Sequence, residues 1–330
     1  MTIKEAVVAV TYRCNARCKM CNIWQTNDVD ELKPEHYAKL PGSLKTINIT
    51  GGEPFLRNDL VEVVKAIHSR APQSRMVFST NGMETEQITS AVHEIIGFHK
   101  NIGIGVSIDG MEDTHEKIRG VPGIFKCATR TISNLKQMGI TDLRIGMTLL
   151  PENSGDAMKV FEMSRELGVE FTTTFAHNSE IYFKKKTNKS FDIEGSASPE
   201  LYSIMRKQLV SRSPKNWLRA YHIQGILDPS LRMTFRSHCE AGRRYVFVDP
   251  KGNVYPCMVL DSALGNLADV KNWDELITPD VVAKTRRLVQ GCKEDCWMVC
   301  NTRSLILAHP FKAGAWVARN KVRSHLGPSP

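Results

Sequence analysis

The first two-thirds of this 330-residue chain alternates short aliphatic and β-branched runs with segments whose apolar residues recur at helical spacing. Strands are predicted at Val7–Thr11, Thr46–Thr50, Met76–Ser79, Ile104–Ile108, Leu143–Leu149 and Glu170–Phe175. Amphipathic helices are predicted between them at Leu60–His68, Ile88–Ile96, Ala128–Met138 and Ala157–Leu167. Strands alternating with helices imply parallel βαβ units. Six units predict an α/β fold, a partial (β/α)6 TIM-like barrel; the two further units of a closed eightfold barrel are not found before Ser190.

Glycine-rich and polar strings follow these strands. A cysteine loop follows the first, Gly51-Gly52-Glu53-Pro54 the second and Ser79-Thr80-Asn81-Gly82 the third, while Ser107-Ile108-Asp109-Gly110 ends the fourth. Reacting groups in such barrels sit at the C-terminal ends of the strands, so these strings are expected to share one pocket.

The pattern then changes. Asn188–Pro199 is polar and reads as a linker, and a basic helical stretch follows in Pro199–Gln208 and Lys215–Leu227. Tyr245–Val248 and Val254–Pro256 flank the turn Asp249-Pro250-Lys251-Gly252-Asn253, a β-hairpin signal bracketed by cysteines. The expected organisation is a barrel over 1–190, a helical linker over 191–235, a small β-hairpin/helix domain over 236–305 and a basic C-terminal helix or tail over 306–330.

Net charge is +9 and uneven: Ser203–Leu227 and Asn301–Pro330 each carry five Lys/Arg and no acid. This reads as solvated surface and counter-charge for anionic cofactors, or as a surface for an anionic substrate or membrane. Aromatic residues do not interleave with the basic patches, which argues against nucleic acid. The N-terminus lacks signal-peptide features and no run of about 18 apolar residues exists, so a cytoplasmic protein is expected. In that reducing compartment the nine cysteines are not expected to form structural disulfides.

Cys127 stands alone in a helical pattern and reads as a small buried hydrophobe. The other eight form two groups, which points to two metal sites. Cys14, Cys18 and Cys21 follow a C-x3-C-x2-C spacing. Three thiolates on one loop can hold three corners of an iron–sulfur cube and leave the fourth iron open. The spacing also admits a Cys3His zinc site, with His36 fifteen residues past Cys21. Gly51 and Gly52 let a backbone approach a ligand closely, and Glu53 offers a carboxylate to a cationic group. Taken alone, that string also fits an ordinary strand-to-helix turn.

Together, the cysteine loop and Gly51–Pro54 resemble the two signatures of the radical S-adenosylmethionine (SAM) superfamily. The likeness continues through Phe78–Gly82 and Val106–Gly110, covering roughly residues 6–180. It implies that Cys14, Cys18 and Cys21 ligate a [4Fe–4S] cluster whose open iron is chelated by SAM. It also implies that Met20 packs near the adenine, that Gly51, Gly52 and Glu53 hold the SAM amino group, and that Ser107 contacts its carboxylate, with Arg119 or Arg130 as basic partner. A reductase such as a flavodoxin or ferredoxin is the implied electron donor. Cleavage of SAM then gives methionine and a 5′-deoxyadenosyl radical that removes hydrogen from a C–H bond.

In the second group, twelve residues separate Cys239 from Gly252 and four separate Gly252 from Cys257. This resembles the opening of SPASM and twitch extensions, which bind auxiliary iron–sulfur clusters. Cys292, Cys296 and Cys300 then depart from the full SPASM spacing, and five cysteines cannot fully ligate two cubes. One auxiliary [4Fe–4S] cluster is implied, with Cys239, Cys257, Cys296 and Cys300 as expected ligands and Cys292 as spare or substitute; zinc is the alternative. Without an open iron the cluster would transfer electrons, and with one it would bind substrate.

Other polar residues carry two readings each. His177, Asn178 and Ser179 line a substrate pocket or form a plain loop; Asp109 touches substrate or caps the next helix; His115 and Arg119 are read as structural. The Trp316–Arg323 segment interleaves apolar and basic residues, as in a docked helix or one lying on an anionic membrane or holding a lipid-linked substrate. The expected function is a radical SAM enzyme dehydrogenating or epimerising a small-molecule, sugar-derived or lipid-linked substrate. A peptide-modifying maturase forming thioethers, cross-links or epimers is the second reading, made less favoured by a first strand that starts near residue 7 and leaves no room for a leader-binding domain. A non-catalytic electron-transfer protein is the third, and Gly51–Pro54 argues against it.

Overall fold

The computed structural model describes residues 2–26, 30–188 and 198–326. The aliphatic runs form strands β1 (Glu5–Ala9), β2 (Thr46–Thr50), β3 (Arg75–Thr80), β4 (Ile102–Ser107), β5 (Leu143–Leu149) and β6 (Glu170–Phe175). All six are parallel and each pairs with its sequence neighbour. β6 does not pair back to β1, so the barrel is partial and open. β1 lies two residues before its predicted span because its register is set by β2, with Glu5 opposite Thr46 and Ala9 opposite Thr50.

The strands divide their side chains by the period of two. Ala6, Val8, Ile47, Ile49, Met76, Phe78, Ile104, Val106, Ile145 and Met147 enter the main core. Helices Leu60–Arg70, Thr85–Phe98, Ile124–Gln137 and Ala157–Glu166 cover that core with stripes such as Val63, Val64 and Ile67. The opposite face forms the lumen. On β5 the alternation is plain: Leu143, Ile145, Met147 and Leu149 are buried, while Arg144, Gly146 and Thr148 are partly open. One further helix, Glu112–Arg119, escapes sequence reading because its inward residues are His115, Ile118 and Arg119, which form no apolar stripe.

The C-terminal hairpin joins this sheet. Strand β7 (Tyr245–Val248) runs parallel to β1 on the side away from β2, and β8 (Asn253–Tyr255) and β9 (Gly265–Asn266) follow antiparallel. The predicted turn forms at Gly252, whose φ of +88° suits glycine, while Asp249 accepts hydrogen bonds from the Lys251 and Asn253 amides. Of the predicted linker, residues 189–197 lie outside the described residues. Helices Ser198–Val210, Pro214–Leu227, Val299–Ala308 and Pro310–Leu326 complete the C-terminal half with shorter segments. The last of these docks through buried Ala313 and Val317 and through Trp316, whose ring meets Tyr221 at 5.2 Å, while Phe311 and Val322 of the same helix stay exposed. No described helix is long and apolar enough to cross a membrane.

Candidate functional site

The loops after β1 to β4 enclose a cavity of about 200 Å³. Its wall brings together Cys14, Cys18, Cys21, Met20, Gly51, Gly52, Ser107 and Arg119, residues scattered over more than a hundred positions of sequence. Thr50, Ser79 and Thr148, from the lumen faces of β2, β3 and β5, form its floor with Tyr182 beside them. Tyr182 escaped sequence reading because it lies in an irregular loop; its hydroxyl meets the Thr50 hydroxyl at 2.7 Å.

The two glycines are demanded first by the cysteine loop. The Gly52 amide donates to Thr11 O and the Glu53 amide to Arg13 O, both at 2.8 Å. A Cβ on Gly51, whose φ is +144°, or on Gly52 would lie 2.2 Å from one of those carbonyl oxygens. The backbones therefore run side by side, and this holds the cysteine loop against the end of β2.

Glu53 lies behind the cavity and does not line it. Its fully buried carboxylate accepts from Thr80 Oγ1 at 2.8 Å, the Asn81 amide at 2.7 Å and the Phe55 amide at 3.3 Å. Burial pushes its pKa up to about 7 against these hydrogen bonds. Its visible role is to brace the loop after β3. That loop in turn holds the cysteine loop, because Asn81 Nδ2 donates to Asn15 Oδ1 at 2.8 Å.

Of the two candidate arginines, Arg119 lines the cavity and Arg130 does not. Arg130 lies on the surface against Glu86 at 3.1 Å. Arg119 is buried, pairs with Asp109 at 2.7 Å and directs Nη1 to Cys18 Sγ at 3.6 Å. Asp109 neither lines the cavity nor caps the following helix; it also accepts from the Thr148 amide at 2.7 Å. His115 is structural as well: its Nδ1 accepts from the Asp109 amide at 2.9 Å, and burial followed by the nearby Arg119 pushes its pKa down to about 3.

Burial raises all three loop thiols, Cys14 to about 12 and Cys21 to about 11. A metal group entering here must displace protons, and the Arg119 charge at Cys18 favours the thiolate that results. Among the described residues no three Cys, His, Asp or Glu side chains are placed to hold a single metal ion. His36 is turned to Lys39, 2.8 Å away, and is absent from the cavity wall, so the Cys3His zinc set is not assembled. An iron–sulfur cube instead takes each thiolate on a different iron. Three thiols on one wall, beside an arginine and two glycines that line the same cavity, fit such a cube and a zwitterionic ligand on its open corner.

Tyr245, which opens β7, has Cys239, Cys257, Cys296 and Cys300 around it. Cys292 and Cys296 lie on the irregular segment after Gly291 and Cys300 in the helix that follows. Cys239, Cys257, Cys292 and Cys296 lie within electrostatic reach of one another in every pairing. Cys257 Sγ accepts from the Val259 and Leu260 amides at 3.4 and 3.3 Å, and Cys296 Sγ accepts from Asn301 Nδ2 at 3.2 Å. Cys300 reaches Cys257 but faces Glu5 and a different cavity at the base of the barrel. His177 seats this segment: its Nε2 accepts from the Trp297 amide at 2.9 Å while its ring stacks on Phe175. Trp297 Nε1 donates to His222 O at 2.8 Å. Ser179 donates to Met258 O, and Asn178 accepts from the Asn188 amide at 2.9 Å. The loop after β6 thus joins the barrel to the second cysteine group.

Comparison with known proteins bears on the family and the fold. The profile of the radical SAM superfamily matches residues 8–164, and that of the SPASM iron–sulfur cluster-binding domain matches residues 239–301. The Fe-coproporphyrin III synthase of Methanosarcina barkeri is 32% identical over 175 residues, 49% of this chain and 42% of that protein. The mycofactocin maturase MftC of Mycolicibacterium smegmatis is 26% identical over 266 residues, 75% of this chain and 62% of that protein. The chain thus spans less than two-thirds of either relative. Streptococcus suis SuiB, solved with S-adenosylmethionine bound, superposes with a TM-score of 0.66 over 89% of this chain and 73% of its own, at 14% identity. At that identity the likeness is one of fold.

Proposed function

The chain belongs to the radical SAM superfamily and carries a SPASM-type iron–sulfur domain, and from that premise we propose a role for each residue of the two sites. When bound, the reduced [4Fe–4S] cluster and SAM supply a 5′-deoxyadenosyl radical that removes a hydrogen atom from an unactivated C–H bond. Cys14, Cys18 and Cys21 hold that cluster. Gly51 and Gly52 present backbone to the SAM amino group, while Glu53 stiffens that backbone from behind. Arg119 and Ser107 hold the SAM carboxylate, with Asp109 fixing the guanidinium, and Met20 covers the adenine. Tyr182 and Thr50, joined by their hydroxyls, line this cavity. The observation that carries the reading is the meeting of three cysteines, two glycine backbones and a buried arginine on one wall.

For the auxiliary cluster we propose Cys239, Cys257, Cys292 and Cys296 as ligands, because each of these four thiols lies within electrostatic reach of the other three. This exchanges Cys300 for Cys292 relative to the ligands expected from spacing. With four cysteine ligands the cluster keeps no open iron and serves as an electron acceptor, which favours an oxidative outcome. The substrate enters the barrel lumen, whose polar and glycine-lined wall suits a compact polar molecule. The synthase relative supports a small-molecule substrate, and dehydrogenation is the outcome most consistent with an electron-accepting cluster. The maturase relative, similar over three-quarters of this chain, favours a second reading in which a peptide end enters the same lumen. A flavodoxin- or ferredoxin-type reductase supplies the electron.

The test is anaerobic reconstitution with iron and sulfide, reduction, and measurement of SAM cleavage. About eight irons per chain are expected, with 5′-deoxyadenosine that disappears in Cys14→Ala. Zinc without iron, or 5′-deoxyadenosine that persists in Cys14→Ala, would refute the proposal.

A further inference from the structure

A cavity of about 410 Å³ lies at the base of the barrel, at the opposite end of the strands from the cysteine loop. It falls within the usual size of small-molecule sites. Arg75, Arg144, Lys215, Arg219 and Arg303 line it, with Glu5 as the acidic residue of its wall. Two acids stand behind that wall. Asp142 pairs with Arg75 at 2.5 Å, and Glu170 pairs with Arg219 and lies 3.5 Å from Lys215. Glu5 is shared loosely by Arg303 and Arg244, each at 4.0 Å. Five lining cations thus face three carboxylates, and Arg244 adds a sixth positive charge.

The excess is concentrated at Arg144. Its guanidinium makes no hydrogen bond or ion pair among the described residues, whereas each of the other four lining cations has an acidic partner. It is half-buried on the cavity wall, and burial together with Arg75 and Arg219 pushes its pKa down to about 10 against the weaker opposing pull of Asp142 and Glu170. A desolvated guanidinium beside other cations is unfavourable unless an anion completes it.

The sequence makes room for this arrangement at a cost to strand propensity. β4 reads Ile-Gly-Ile-Gly-Val, with both glycines on the lumen face. A Cβ at Gly103 would lie 2.7 Å from Asp142 Oδ2 and 2.9 Å from Arg75 Nη2; one at Gly105 would lie 3.2 Å from Arg144 Nε. Glycine here is what allows charged side chains to lie across the strand, since an interior strand glycine otherwise weakens a sheet.

We propose that this basal cavity binds an anionic group, carboxylate or phosphate, of the substrate. The lumen residues of each strand run from this base to the SAM-binding end: Glu5 to Ala9 on β1 and Arg144 to Thr148 on β5. Four residues of strand span about 13 Å. An anion held at the base would lie about that far from the SAM-binding end, and Arg144 is its principal partner. The assignment rests on the proposed function for the identity of the bound molecule, although the anion site itself does not require SAM chemistry.

The experiment is calorimetric titration of the full reconstituted protein, without SAM or reductant, at constant ionic strength. Pyrophosphate and citrate are the probes, and the two arms separate a phosphate-bearing from a carboxylate-bearing substrate. At least one probe is expected to saturate a single site, with affinity lowered about tenfold or more in Arg144→Gln and largely restored in Arg144→Lys. Should Arg144→Gln fail to fold, Arg219→Gln, with near-ultraviolet circular dichroism as a check of folding, serves in its place. Binding of neither probe, or affinity unchanged in the folded variant, overturns the assignment. Because the titration needs no SAM cleavage, a protein that binds anions but forms no 5′-deoxyadenosine refutes the proposed function alone.

Discussion

His177 offers the sharpest quantitative test of how the barrel seats the second cysteine group. It is buried, stacked on Phe175 and bonded through Nε2 to the Trp297 amide, one residue from Cys296. An acceptor nitrogen in that position must stay neutral, and burial pushes its pKa down to about 3 from 6.5. A histidine so depressed contributes stability that is full above the unfolded value and is lost as pH falls toward the folded one. At pH 5 the unfolded chain binds a proton that the folded chain refuses, and the penalty is about 1.36 kcal/mol for each of about 1.5 pH units, or about 2 kcal/mol. His177→Gln keeps an acceptor for the amide but cannot titrate. The assay is urea unfolding of wild type and variant in parallel from pH 8 to pH 5, followed by tryptophan fluorescence. The variant is expected to be less stable at pH 8, where ring stacking is lost, and to recover about 2 kcal/mol relative to wild type by pH 5. His222 and His115, depressed to about 4 and about 3, destabilise both proteins equally over this range, while Glu53, raised to about 7, opposes them by gaining its proton in the folded state. A stability difference that stays flat from pH 8 to pH 5 would show that His177 does not hold its neutral state against solvent protons.

Further expectations bear on the two metal sites. Gly52→Ala forces a Cβ to 2.2 Å from Arg13 O, so SAM binding by equilibrium dialysis should fall at least about tenfold, as for a misplaced binding element. Unchanged binding would show that the two loops part freely. Asp109→Asn leaves the buried Arg119 without its counter-charge and should cost about 3–5 kcal/mol in denaturant unfolding; a loss below about 1 kcal/mol would mean that solvent reaches the guanidinium. Cys292→Ala should lower bound iron toward four per chain while Cys300→Ala keeps about eight, read by iron and sulfide analysis, and the reverse result would restore Cys300 to the ligand set.

Helix and strand order was legible because both periodicities are local. β2, β5 and β6 lie where the apolar runs place them, and the order of the β/α units implies the parallel neighbours observed. The cysteine loop and Gly51–Pro54 were legible because ligand spacing along one loop is a property of sequence. Two features were not. The choice of Arg119 over Arg130 depends on which face of its helix meets the lumen, and a helix with no apolar stripe carries no such mark. The grouping of Cys292 with Cys239 and Cys257 depends on how the segment after Gly291 folds back on the barrel, with the Trp297 amide on His177, contacts across more than thirty residues that spacing does not encode.

The basal cations show the same division most clearly. Arg75, Arg144, Lys215, Arg219 and Arg303 look in sequence like ordinary solvated charge, spread over two strands and two helices. What the sequence by itself determined is that β4 carries glycines where a strand prefers branched residues. Only the tertiary structure decided why, by laying across them two arginines from β3 and β5 and the aspartate just before β5. The physical reason is one of range. Propensity and periodicity act within a few residues, whereas the meeting of charges in a lumen is set by strand register and by which end of each strand a residue occupies. The same register that gathers thiols at one end of the barrel gathers guanidinium groups at the other.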